Sequence, residues 1–364
     1  PNIALMRIAA HHRALGHEVE LRRGNPEPQL WDEEPDFVYG SAIFQSTRPA
    51  AERLRLNYPQ AVIGGTGCDL PPLVVSSLES VGIQTLQQDY SLYPNFRQSI
   101  GFSQRGCRLR CEFCVVPNKE GRIRPEQSIG NIWRGEPWPR EIILLDNDFF
   151  GQPDWRARIA EIRDGRFAVS FTQGINARCL TDEAAQAIAS VDYRNDSMDT
   201  RRIYTAWDSR GDEDRLFAGL NRLVKYGVKP DHIMVYMLVG YWPAESQEDR
   251  DYRRRRLREF GARPTPCVLP NARTGRLPTV GGWGLRQEDF LGGLESESLP
   301  PRRAGEEEIV SKYSELTTVL TEERYLVEAL QEMGYAPEVC REGTALVGYM
   351  GDARPEKAHI IIRR

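Results

Sequence analysis

The run Ile100-Gly101-Phe102-Ser103-Gln104-Arg105-Gly106-Cys107-Arg108-Leu109-Arg110-Cys111-Glu112-Phe113-Cys114 joins a short apolar stretch to three cysteines spaced C-x3-C-x2-C. Thiolates this close on one loop can converge on a single metal centre, and three of them leave one iron of a four-iron cluster without a protein ligand. An open iron is a place for chemistry. A structural zinc site asks for four ligands, usually as two separated pairs, and no fourth Cys or His lies near enough in the sequence to complete one. A disulfide framework suits short secreted chains, whereas this chain has 364 residues, 7 scattered cysteines and no signal-peptide pattern at its start. A reducing, cytoplasmic setting is the expectation.

Outward from that run, strand-like stretches recur at 100–102, 142–145, 168–171, 203–206, 233–239 and 265–269, each followed by a helical pattern. Strands alternating with helices imply an α/β fold with parallel pairing. This repetition over 96–270 predicts a (β/α) barrel or part of one, whose functional side chains lie just past the carboxyl ends of the strands. Those ends carry Asp146-Asn147-Asp148, then Gln173-Gly174-Ile175-Asn176-Ala177-Arg178, then Trp207-Asp208, then Leu238-Val239-Gly240-Tyr241. A carboxylate such as Asp146 suits a cationic ammonium, although a helix cap is the rival reading. Gln173 and Asn176 can bond hydroxyls, and Arg178 can hold a carboxylate in a bidentate fork. Thr181 reads as a helix cap, and Cys179 and Cys267 as buried small hydrophobes.

Residues 1–95 show the same alternation: an amphipathic helix up to Gly16, strands at 19–21 and 37–39, a helix at 49–56, and a strand at 61–63 leading into Gly64-Gly65-Thr66-Gly67. This is the pattern of a doubly wound, Rossmann-like unit. The glycines do not follow G-x-G-x-x-G, so a tight turn is favoured over a phosphate cradle. His11, His12 and His17 read as partly exposed surface residues. Because the chain opens at Pro1, already inside a helix, it is expected to be truncated or processed. Residues 271–310 lack periodicity and read as a linker; 311–364 read as a small α+β module with strands at 313–320, 345–347 and 359–362 and a helix at 321–334.

Forty per cent apolar and 27% charged residues with a net charge of −4 describe an ordinary globular composition. No apolar run approaches the roughly 20 residues of a membrane span, so no membrane segment is expected. The acidic balance gives no global reason to bind nucleic acid, which is not favoured. The run from Arg253 to Arg256 reads as a solvated helix face rather than a phosphate or RNA contact.

The C-x3-C-x2-C motif, with Phe113 directly before its last cysteine, resembles the cluster motif of radical S-adenosylmethionine enzymes. The resemblance implies that Cys107, Cys111 and Cys114 bind a 4Fe-4S cluster whose fourth iron chelates S-adenosylmethionine. It also implies a reductant such as a flavodoxin or ferredoxin and a 5′-deoxyadenosyl radical that abstracts hydrogen from a substrate. The implied fold is a partial (β/α)6 TIM-like barrel. In it Phe113 lies by the cofactor, Asp146 and Asn147 stand where the family has Gly-Gly-Glu for the cofactor amine, and Gln173, Asn176 and Arg178 meet its ribose and carboxylate. Asp208 would touch substrate or cofactor, and Tyr236, Leu238 and Gly240 would lie against adenine.

Residues 1–95 resemble the cobalamin-binding-like domain that precedes many such barrels. The D-x-H-x-x-G motif that supplies an axial histidine is missing, so cobalamin is not favoured. Residues 311–364 are similar over their first half to a family of short, uncharacterised proteins of cyanobacteria and plastids. The substrate and reaction type stay open at this point. The alternatives are methyl or methylthio transfer to RNA within the same superfamily, and a non-catalytic iron–sulfur protein used for structure or electron transfer. Asp146 and Arg178 discriminate, because a purely structural cluster needs neither.

Overall fold

Asn2 starts the first helix, α1 (Ile3–Ala14), by accepting the Leu5 amide hydrogen on its side chain. The helix ends at Gly16, whose φ of 82° few other residues adopt readily. Strand β1 (Tyr39–Ser41) leads to α2 (Arg48–Asn57), which carries a proline in its first turn, and then to β2 (Val62–Gly64). β1 and β2 pair in parallel with Tyr39 opposite Val62, and Ala42, Ala51, Leu54, Ala61 and Ile63 close a small core against them.

Two expectations for this segment fail. Residues 19–21 form no strand, since a strand needs a neighbour to bond its backbone and β1 pairs with β2. His12 is buried, at 8% exposure, with its two ring nitrogens 2.9 Å from His17 Nδ1 and from the Tyr39 hydroxyl. Phe37 packs on its ring, so the apolar side of α1 takes the histidine with it.

The chain continues through β3 (Ser99–Gly101), β4 (Gln104–Arg105), α3 (Val116–Lys119), β5 (Arg124–Pro125), α4 (Ile129–Ile132), β6 (Glu141–Leu144), α5 (Trp155–Asp164), β7 (Ala168–Phe171), α6 (Asp182–Ala189) and β8 (Asp192–Tyr193). It then forms β9 (Ile203–Trp207), α7 (Glu213–Lys225), β10 (Ile233–Val239), α8 (Gln247–Phe260) and β11 (Arg263–Val268). β3, β6, β7 and β8 lie side by side as one parallel sheet; β9, β10 and β11 form a second parallel sheet with β10 central. β4 and β5 make a short antiparallel pair beside the cysteine loop. Past the end of β7, the Ile175 amide bonds the Tyr204 carbonyl of β9 at 2.8 Å.

This computed structural model describes residues 1–23, 34–44, 47–68, 78–268, 337–347 and 353–362. The chain divides into two compact units, Pro1–Glu295 and Ser296–Arg364. In the first, all six apolar stretches read between 100 and 269 overlap strands, the last described as far as Val268; β4, β5 and β8 escaped notice because two residues carry no periodicity. Ile142, Leu144, Val169, Phe171, Ile203, Val235 and Met237 fill the core between the strands and their helices. Helix α7 turns Leu216, Leu220 and Leu223 inward at helical spacing. Its Gly219 passes so close to the Ala177 carbonyl that any side chain there would overlap it, and this contact seats the turn bearing Arg178. Cys179 and Cys267 are exposed, against the expectation that they are buried: Cys179 lies on that surface turn and Cys267 on β11.

In the second unit β12 (Pro337–Val347) and β13 (Ala353–Ile362) form an antiparallel hairpin with a register shift between Val339 and Thr344. The expected strands at 345–347 and 359–362 fall inside it. The expected linker at 271–310, the strand at 313–320 and the helix at 321–334 lie outside the described residues. Among the described residues no helix is long and apolar enough to cross a membrane.

Candidate functional site at the cysteine loop

The carboxyl end of β6 holds the cysteine loop. Asp146 is buried and accepts the Ser103 amide at 2.7 Å, the Gln104 amide at 3.3 Å and the Ser103 hydroxyl. Burial pushes its carboxyl up to about 7, against the pull of those donors. Asn147 donates to Glu120 Oε2 at 2.9 Å. The same carboxylate takes two guanidinium bonds from Arg105, at 3.1 and 2.9 Å, and the Gly106 amide at 3.1 Å. Asp148 meets the Arg108 guanidinium at 3.0 Å and its amide at 3.3 Å. Asp146 and Asn147, expected at a cofactor amine, hold the loop through their own hydrogen bonds here. Both oxygens of Asp146 are spent on the loop's backbone and hydroxyl, and the Asn147 amide on Glu120.

The loop turns at Gly106, whose φ of 79° and contact with the Arg122 carbonyl leave no space for a Cβ. Cys107, Cys111 and Cys114 beyond it are part-buried, and Cys107 accepts the Leu109 amide at 3.4 Å. The three thiols feel one another electrostatically. Burial pushes the Cys107 thiol up to about 11; burial also raises Cys111, opposed by the Arg178 guanidinium that lies within hydrogen-bonding reach of it. Among the described residues no group of three or more His, Cys, Asp or Glu side chains is arranged to hold a metal ion. The sulfurs are thus neighbours on one loop but not a closed ligand set among the described residues. Neutral thiols, unlike thiolates around a cation, have no charge to draw them together. Their chemistry as donors nonetheless fits iron: three soft ligands on one loop, with a backbone N–H already directed at a sulfur.

The ends of β7, β9 and β10 meet this loop. Arg178 bonds Asp212 at 2.7 Å, pairs with Asp208 at 3.4 Å and donates to the Asn176 side-chain Oδ1 at 3.3 Å while facing Cys111. Its donors are thus turned to Asn176, Asp208, Asp212 and Cys111. Burial raises the Asp208 carboxyl, with Arg178 opposing. Gln173 is exposed. Phe113 packs edge-on against Tyr241 and Trp242, with ring centroids 5.6 and 6.5 Å away, and Trp242 donates to the Asp208 carbonyl at 2.8 Å.

Tyr236 stacks on Tyr204 at 6.0 Å rather than on the loop's aromatic group, and the Leu238 side chain is buried. Gly240 turns with a φ of 86° and gives its amide hydrogen to Glu245 at 2.8 Å. Arg253, expected on a solvated face, is 1% exposed. It donates to the Trp207 and Leu238 carbonyls at 2.7 and 2.8 Å and pairs with Glu245. Those unpaired strand-end carbonyls draw one arginine of the run inward, where it ties β9 to β10.

Sequence reasoning missed Glu120, Asp212, Trp242 and the Glu245–Arg253 pair. Only Trp242 left a signal, as an aromatic next to Tyr241 at a strand end. The chain matches no family model and no curated protein.

Proposed function

We propose that this chain is a radical S-adenosylmethionine enzyme, with its two parallel sheets as the two halves of a partial six-unit barrel and residues 1–95 as a Rossmann-like domain before it. One observation carries the reading: the C-x3-C-x2-C loop sits at the carboxyl ends of successive strands, with Cys111 on Arg178 and Phe113 on Tyr241 and Trp242. A loop serving only structure would not need a guanidinium and two carboxylates gathered at one thiol.

Cys107, Cys111 and Cys114 would hold a four-iron cluster. When bound, the cluster and S-adenosylmethionine supply a carbon-centred radical able to abstract hydrogen. The chain's own residues bind and exclude. Arg178 orients a carboxylate, and Phe113, Tyr241 and Trp242 screen the reacting centre from water. Glu120, Asp146 and Asp148 fix the loop so that little ordering is left for the moment of binding.

Anaerobic reconstitution with iron and sulfide tests this directly. The expected result is a broad visible charge-transfer absorbance that needs all three cysteines, and conversion of S-adenosylmethionine to 5′-deoxyadenosine on reduction. Absorbance without any such product would leave an electron-transfer protein.

A further inference from the structure

We propose that the cleft beside Cys111 recognises a phosphate group on a small-molecule substrate, through Arg110 and Arg215. This rests on the reading of the cysteine loop as the reacting centre and adds the chemical class of what it acts on. The cleft holds about 230 Å³ and is lined by Leu109, Arg110, Cys111, Arg178, Cys179 and Arg215. Three guanidiniums and no carboxylate line it. Asp208 and Asp212, which pair with these arginines, are themselves only 9% and 8% exposed, so the surface turned to solvent is cationic.

Arg178 is engaged on Asn176, Asp208 and Asp212. Arg215 pairs with Asp212 yet leaves its side chain 69% exposed. Arg110 is exposed, and no acidic partner holds it among the described residues. A chain with a net charge of −4 that sets three arginines against two carboxylates at one small mouth has a local reason to do so. Guanidiniums match phosphate oxygens in paired, charge-assisted bonds, which favours a dianion with three acceptor oxygens. The volume lies below the roughly 300 Å³ at which pockets for drug-sized ligands begin, so the cleft takes a head group, with the rest of the substrate outside.

The test is calorimetric titration of the full chain, as isolated, with inorganic pyrophosphate, beside Arg110→Ala, Arg215→Ala and the remote surface variant Arg163→Ala. Binding should persist in Arg163→Ala and weaken about tenfold or more in each of the other two, the loss expected of one charged hydrogen bond. Bound pyrophosphate should also slow alkylation of Cys179 by N-ethylmaleimide, because that thiol is exposed on the cleft wall. The proposal is overturned by absence of binding, by equal affinity in all variants, or by an oligonucleotide without terminal phosphates binding more tightly through the same arginines. Failure to form 5′-deoxyadenosine with these results intact would sink the catalytic reading alone. Product formation without pyrophosphate binding would sink only the phosphate site.

Discussion

The guanidinium of Arg178 faces the thiol of Cys111 while donating to Asp212 at 2.7 Å, so the cysteine loop and the ends of β7 and β9 share one cation. A positive neighbour favours thiolate over thiol. In the metal-free protein, Arg178→Ala should therefore raise the Cys111 pKa further, and alkylation of Cys111 should slow at a fixed neutral pH. After reconstitution the same variant should keep the cluster absorbance but bind S-adenosylmethionine about ten- to a hundredfold more weakly. Equal loss of the cluster and of the cofactor would make Arg178 a purely structural residue.

Glu120 joins Arg105, Gly106 and Asn147 through one carboxylate that is 9% exposed. Glu120→Ala should lower stability by about 1–3 kcal/mol, the cost of leaving charged donors without their acceptor, as read from urea unfolding. Limited trypsin digestion should then cut faster after Arg108 and Arg110. An unaltered cleavage rate would mean that the loop is held by Asp146 and Asp148 alone.

Asp146 gives a pH signature. Its carboxyl is raised from 3.8 to about 7, so between those values the folded state binds more protons than the unfolded one. The resulting stabilisation is fully present below 3.8 and is lost as the pH rises through about 7. Asn at this position can accept the same two amides and donate to the Ser103 hydroxyl. The difference in unfolding free energy between the wild type and Asp146→Asn should shift against the wild type across that window, by a few kcal/mol at most. A difference independent of pH would mean that Asp146 stays charged in its burial.

Arg253→Ala should cost about 3–5 kcal/mol in thermal or urea unfolding, because it leaves Glu245 charged and 6% exposed with one of its two arginines removed. It also strips the donors from the Trp207 and Leu238 carbonyls. A loss below about 1 kcal/mol, the scale of an exposed pair, would place Arg253 in water.

Six strands between 99 and 268 were legible because each is a short apolar run bounded by turn residues, and their parallel pairing follows from the α/β alternation. The cysteine loop was legible from spacing alone. What escaped was the use of polar groups inside the fold. Asp146 and Asn147 looked available for a ligand, yet the backbone of Ser103 and Gln104 and the Glu120 carboxylate needed partners first. Arg253 sits in a run of four arginines whose composition says solvent, and only the three-dimensional position of two strand-end carbonyls says otherwise. His12 was misplaced for a similar reason: Tyr39, which takes its proton or supplies one, is 27 residues away.

The central claim is that the three cysteines serve radical chemistry. Its most direct measurement is the yield of 5′-deoxyadenosine from S-adenosylmethionine under strict anaerobiosis with dithionite, compared between the reconstituted wild type and Cys111→Ser. The wild type should form the product, and Cys111→Ser should lose both the product and the cluster absorbance, since a hydroxyl is a poor ligand for iron. A wild type that assembles the cluster and forms no 5′-deoxyadenosine, or a serine variant that forms as much, would contradict the account.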